Sequence, residues 1–139
     1  MTITRPRKLF VNLPVQDLRR SIQFFTRLGF VFHPRLTDER GACMIVGAEC
    51  SVMLLSRAFF QTFTRKALCD AQQRTEGIFA VSCESDAEVD SMVEAALAAG
   101  GTRAMDPVRH GNFMYGWSFY DLDHHHWEVL HLNPAALAS

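Results

Sequence analysis

The sequence predicts an α+β domain made of two copies of a strand–helix–strand–strand–strand unit, written βαβββ below. Three observations predict it. Each half opens with a short apolar run followed by a polar residue suited to start a helix. Each then carries apolar residues at helical spacing, ended by glycine. Each closes with short apolar runs separated by turn residues. A repeat of this size has to be recognised before a fold is named, and here it is one of pattern, with little internal identity. Module one is expected over about residues 8–56, a connector over 57–76 and module two over 77–132, all within a single domain of residues 1–139.

In module one, residues 8–15 form a short apolar strand ended near Pro14. Asp17 or Ser21 can open a helix over about 17–28, whose apolar face is Leu18, Ile22, Phe25 and Leu28. Gly29 follows as its stop, where a left-handed backbone is cheap. Residues 30–36 return as a strand, and 37–41 make a turn. Residues 42–46 and 51–55 then form a hairpin around Gly47, Ala48 and Glu49. In the connector, Phe59, Phe60 and Phe63 suggest a short packed helix, and residues 71–76 are polar.

Module two repeats the order. Residues 78–83 form a strand, and Ser85 with Glu88 three residues later is a capping box for a helix over about 86–99. Val89, Met92, Val93 and Ala96 give its buried face, and Gly100-Gly101 ends it. Residues 102–105 form a short strand, and Arg109, His110, Gly111 and Asn112 a mobile rim. Residues 113–121 and 125–132 are two long strands joined at Leu122, Asp123 and His124.

Composition narrows the functions. A chain of 139 residues buries roughly 70% of its unfolded surface and can build a core without staples. The net charge of −1 argues against a nucleic-acid binder, and the densest basic cluster, Arg5, Arg7 and Lys8, reads as a solvated tail. No apolar run reaches the roughly 18–20 residues of a membrane span. The amino-terminal residues lack the apolar stretch of a signal peptide, so the expected location is the cytoplasm. Cys43, Cys50, Cys69 and Cys83 form no close pairs and read as small apolar residues in a reducing compartment. No nucleophile–histidine–acid arrangement, phosphate-binding glycine loop or metalloprotease motif is present.

The run Asn12-Leu13-Pro14-Val15-Gln16-Asp17-Leu18, with Ser21, Phe24-Phe25 and Leu28-Gly29-Phe30, resembles the opening of the glyoxalase/bleomycin-resistance/extradiol-dioxygenase superfamily, the vicinal oxygen chelate superfamily. Residues 119–128, Phe-Tyr-Asp-Leu-Asp-His-His-His-Trp-Glu, resemble its last hairpin. The likeness spans residues 8–132 and is nearest to small bacterial proteins described as predicted lactoylglutathione lyases. It implies paired βαβββ modules whose mixed sheet curves around a ligand-sized cup. In many members that cup holds a divalent metal on His, Gln and Glu. It also implies a homodimer, with Phe59, Phe60, Phe63 and Trp117 as spare apolar groups for an interface.

The four ligand positions implied by the resemblance fall on Phe10, Leu54 or a neighbour one place off, Ile78 and Glu128. Phe, Leu and Ile have no lone pair, and a hard divalent ion needs oxygen or nitrogen donors. No metal or other cofactor is therefore expected. The alternative is a site rebuilt from His124, His126 and Glu128. A period of two puts His126 and Glu128 on one strand face and His125 on the other. Glu128 is then a carboxylate paired with His126 or another donor, a ligand-binding or acid–base group, or a member of the rebuilt site. His124 occupies a turn position where the family usually has glycine, so it is strained or the turn differs.

A cup lined by Phe10, Leu54 and Ile78, with Asn12, Ser82, His126 and Glu128 as its polar groups, suits a small apolar or aromatic molecule. These apolar groups can equally be simple core filling. Leu9, Val11 and Leu13 are expected to pack on the helices instead. Tyr115 and Trp117 alternate with Phe119 and can stack on a planar ligand, or serve as core or dimer contact. Two functions stay open. One is a protein that binds an apolar or aromatic small molecule without a metal. The other is a lyase, such as a lactoylglutathione lyase-like enzyme, an isomerase or a dioxygenase, using a rebuilt metal site or Glu128 as acid or base.

Overall fold

The computed structural model describes residues 4–137. The chain divides into two compact units, Met1–Leu68 and Cys69–Ser139.

The first unit contains β1 (Leu9–Val15), α1 (Leu18–Arg27), β2 (Val31–His33), β3 (Gly41–Gly47), β4 (Cys50–Ser56) and α2 (Arg57–Gln61). Its sheet has the order β1-β4-β3-β2, with β1 parallel to β4 and the other pairs antiparallel. Asp17 caps α1 by accepting the Arg20 N–H at 3.1 Å, and Gly29 closes the helix with φ +103°. The buried stripe is Ser21, Phe24, Phe25 and Leu28, turned from the expected Leu18–Ile22–Phe25–Leu28 face. Helical spacing allows either stripe; the two adjacent phenylalanines, edge-to-face at 4.9 Å, decide it.

The expected strand over 30–36 stops at His33. Pro34 has no N–H to give the ladder, and Pro34–Leu36 turn instead as a 3-10 helix. The β3–β4 hairpin forms as expected, with a bulge between Ile45 and Gly47. Register pairs Leu13 with Leu54, Ala42 with Leu54 and Met44 with Val52, and all five are buried on the face that α1 covers. Leu9, expected beneath a helix, is 62% exposed. A helix of ten residues is about 15 Å long, whereas a strand of seven is about 23 Å, so the start of β1 stays uncovered.

The second unit contains β5 (Ile78–Cys83), α3 (Asp86–Ala98), β6 (Thr102–Arg103), β7 (Val108–His110), β8 (Met114–Tyr120), β9 (His126–Leu132) and α4 (Pro134–Leu137). The order is β5-β9-β8-β6, with β7 also paired to β8. β5 and β9 are parallel, which makes the module the counterpart of the first. Ser85 caps α3 by accepting the Glu88 N–H at 3.0 Å. The Glu88 carboxylate reaches past the cap residue and accepts the Glu84 N–H at 2.7 Å. Val89, Val93 and Ala96 are buried against the sheet.

The expected strand over 102–105 is shorter, and the rim expected at 109–112 begins as a strand. β6 pairs with the end of β8 and β7 with its beginning. Between them the Ser118 hydroxyl accepts the Met105 N–H at 2.9 Å and donates to the Met105 carbonyl at 3.4 Å. One serine thus holds the chain where the edge strand is broken.

Candidate functional site

Strand pairing in the second unit decides which side chains share a face. Ile78 lies opposite His126, Ala80 opposite Glu128 and Ser82 opposite Leu130. Across the hairpin, Gly116 faces Leu130, Ser118 faces Glu128 and Tyr120 faces His126. Val108 faces Gly116 and His110 faces Met114. Directly paired residues point to the same side of a sheet, so these side chains form one face. The other face carries Trp127, Val129 and Phe119, buried, and is the one α3 covers.

A cleft of about 320 Å³ opens on the first face. β9 supplies His126 and Glu128, β5 supplies Ile78, and β8 supplies Met114, Gly116 and Ser118. Val108 and His110 of β7 form a wall, continued by Met105 and Asp106. Gly116 is buried, and the Glu128 carboxylate lies against it: a Cβ placed there would stand 3.7 Å from Glu128 Oε1, in ordinary contact.

The cleft unites four of the anticipated residues: Ile78, Trp117, His126 and Glu128. Trp117 borders it although its register partner, Val129, lies on the helix face. Ser82 shares the sheet face but does not line the cleft. Tyr115 belongs to the opposite face, where its hydroxyl donates to Asp90 Oδ1 at 2.6 Å and Arg109 stacks over its ring at 4.6 Å. That hydrogen bond, with burial second, pushes the phenol up to about 12. Arg109 is likewise turned away from the cleft and pairs with Asp86 at 3.0 Å.

In the first unit, Phe10 and Asn12 lie on the sheet face away from α1, in register with Ser51 and Met53. Leu54 is corrected: it is 0% exposed and points to the helix side, because parallel partners share a face and its partner is Leu13. Moving one place to Met53 offers only a thioether, a poor match for a hard cation. The positions assigned by resemblance therefore do not fit a divalent metal.

The three consecutive histidines diverge. His124 adopts φ +65°, the left-handed backbone anticipated for the glycine position, and its Nε2 lies 3.1 Å from Gln72 Nε2. His125 is buried and its Nδ1 lies 2.6 Å from Glu76 Oε1. His126 packs edge-on against Tyr120 at 5.3 Å. Among the described residues, no three His, Cys, Asp or Glu side chains are grouped so as to hold a metal ion.

The expected hydrogen bond or ion pair of Glu128 is also corrected. Glu128 is half-buried and has no such partner among the described residues. Of its neighbours, the Ser118 hydroxyl is bonded to Met105, and the His126 ring packs against that of Tyr120. The residues lining the cleft include two carboxylates, Asp106 and Glu128, and two histidines, but no lysine or arginine.

Met105, Asp106, Val108, Met114, Gly116 and Ser118 were not anticipated, and His110 was expected only as part of a rim. Met114, Gly116 and Ser118 alternate along β8 as regularly as Tyr115, Trp117 and Phe119 do, and alternation alone does not say which face is open. Pairing Tyr120 with His126 across the turn was the available signal, since it places Ser118 beside Glu128.

Behind the cleft, Asp121 ties the hairpin together. Its Oδ1 accepts the Asp123 and His125 N–H groups at 2.8 and 3.0 Å, and Oδ2 accepts Trp127 Nε1–H at 2.9 Å. Burial raises its pKa above the ordinary carboxylate value, with His125 and the Trp127 hydrogen bond opposing.

Residues 7–47 match the family described as bleomycin resistance protein-like N-terminal. A hypothetical protein from S. aureus is 29% identical with a TM-score of 0.74, over 93% of this chain and 95% of that one. A glyoxalase-related enzyme from Fulvimarina pelagi is 19% identical with a TM-score of 0.76, over 92% and 88%. The fosfomycin resistance protein FosX from Mesorhizobium loti is 17% identical with a TM-score of 0.63, over the full length of both chains. The likeness to the last two is one of fold. None of the curated proteins matches the chain. The amino-terminal segment is thus similar to the bleomycin resistance protein-like family, and the fold is that of glyoxalase/bleomycin resistance/dioxygenase-type proteins.

Proposed function

We propose that the chain binds a small, largely apolar or aromatic molecule in the cleft of its second module, without a divalent metal. The observation that carries this reading is a largely apolar cleft with Glu128, a carboxylate without a side-chain partner among the described residues, on its floor. Ligand pockets combine apolar walls with a few polar groups that fix orientation. Ile78, Val108, Met105 and Met114 supply the walls, and the two methionines adapt to irregular shapes. The fosfomycin resistance neighbour and the matched bleomycin resistance family are named for dealing with small antibiotics. That supports a small-molecule role here.

A second reading treats the chain as a lyase, isomerase or dioxygenase in which Glu128 moves a proton. That Glu128 has no side-chain partner among the described residues favours it, since a hydrogen-bonded carboxylate would be occupied. The protein is further proposed to be a cytoplasmic homodimer. None of the described helices is long and apolar enough to cross a membrane.

The test is titration calorimetry with phenylbutanol, a neutral aromatic probe, on wild type and Gly116→Leu. A leucine at 116 should fill the cleft above Glu128 and abolish binding, with the far-ultraviolet spectrum unchanged. Undiminished binding to a folded Gly116→Leu protein would place the ligand elsewhere. Metal analysis of untagged protein accompanies it: stoichiometric Zn, Ni, Mn or Fe would overturn the metal-free reading and favour the enzyme.

A further inference from the structure

We infer that the cleft selects a cationic ligand: an apolar or aromatic body carrying a protonated amine, with the ammonium on Glu128. This rests on the cleft being the binding site and specifies the chemistry of its occupant. Three observations support it.

Glu128 projects from the middle of β9 onto the cleft floor, opposite Ser118 and Ala80, and has no hydrogen bond or ion pair among the described residues. An ionised carboxylate flanked by apolar side chains is stabilised by whatever donor reaches it, and a charged donor does so about twice as strongly as a neutral one.

The second charged group at the cleft, Asp106, is also acidic and likewise unpaired among the described residues. The two cations nearest in sequence, Arg103 and Arg109, are both on the other face: Arg103 pairs with Phe119 of β8, and Arg109 is held by Asp86 and stacked on Tyr115. The other titratable groups lining the cleft are thus Asp106, His110 and His126, with no permanent positive charge. A carboxylate or phosphate ligand would meet two acidic side chains and no arginine or lysine.

The shape agrees with the charge. Glu128 Oε1 rests beside Gly116, 3.7 Å from where a Cβ would stand, so no side chain from that position stands between the carboxylate and the cleft, and Ile78, Val108, Met105 and Met114 line the same cleft. A small polar head can settle at the bottom while an apolar body fills the opening. Methionine sulfur and the Trp117 ring add polarisable surface suited to an aromatic group.

The experiment compares three probes of one shape, phenylbutylamine, phenylbutanol and phenylbutyrate, by titration calorimetry at neutral pH and low salt. The amine should bind about tenfold or more tightly than the alcohol, the advantage of one charge-assisted hydrogen bond. The carboxylate should bind more weakly than the alcohol. Glu128→Gln should erase the preference for the amine and leave the alcohol's affinity nearly unchanged. Asp106→Asn should reduce the preference only partly, and added salt should reduce the Asp106 share first. If the alcohol binds the cleft but the carboxylate binds as well as the amine, the cationic inference is wrong and the pocket reading stands. If Glu128→Gln retains the full preference for the amine, the head group sits elsewhere and the inference fails. If none of the three binds, the pocket reading fails and takes this inference with it.

Discussion

Asp121 shows how one residue can matter without touching the cleft. Its three accepted hydrogen bonds fix the turn that positions His126 and Glu128. In Asp121→Asn one acceptor oxygen becomes an NH2 group, which must face an N–H it cannot satisfy. A buried donor left unmade costs about 1–3 kcal/mol, measurable by urea denaturation at neutral pH. The pH dependence has a definite sign. Burial raises the folded-state pKa of Asp121, so its contribution to stability is full below the ordinary value of 3.8 and fades as pH rises through the folded value. The gap between wild type and Asp121→Asn should therefore widen as the pH is lowered from neutral. A gap that narrows would mean the carboxylate is stabilised as the anion. Asp86 behaves oppositely: hydrogen bonding by His131 and then Arg109 lowers its pKa, and its contribution is lost as pH falls through that lowered value. At this scale the sequence was readable where one residue type has one use, as with Asp17, Gly29 and Ser85. It was not readable at Leu54, since a one-residue shift in register moves a side chain to the other face of a sheet.

The elements divide in the same way. Both long helices were legible because caps, apolar spacing and a glycine stop agree. β7 was not, because Val108–His110 is short and its pattern carries no alternation to count. What makes it a strand is tertiary: Arg109 reaches Asp86 at the start of α3 and stacks on Tyr115 of β8. Tyr115 in turn donates to Asp90 of α3, which couples helix, sheet and rim. The phenol's folded-state pKa is about 12 against an ordinary 10.0. The stabilisation from this bond is thus present below pH 10 and lost as pH rises through 12. Tyr115→Phe should unfold at lower urea than wild type at neutral pH, and the difference should shrink as the solution is made more alkaline across that window. A difference that stays constant through it would show that the ring's packing, and not its hydroxyl, is the source.

On the scale of the whole molecule, the repeated module was legible and its cleft only partly so. The order strand, cap, helix, glycine can be counted along the chain, but which face of the second sheet stays open depends on pairing between strands far apart in sequence. The same sheets leave apolar ends. β1 and β2 end the first sheet and β5 ends the second, and Leu9, Val31 and Ile78 on them are 62%, 62% and 55% exposed. Phe63, just after α2, is 69% exposed and held only edge-on to Phe59 at 5.0 Å among the described ring contacts. Isolated exposed apolar residues are normal, but strand ends that carry them invite pairing and are usually covered. A second copy of the chain is the cover expected here, because symmetric pairs are the commonest assemblies of soluble proteins. Light scattering at micromolar concentration should give the mass of two chains. Phe63→Asp places a charge where the ring would be buried between copies and should shift the population toward single chains, while leaving the circular dichroism of the fold unchanged. A wild-type protein that scatters as one chain would sink the dimer, whereas a Phe63→Asp protein that remains paired would move the interface to the strand ends.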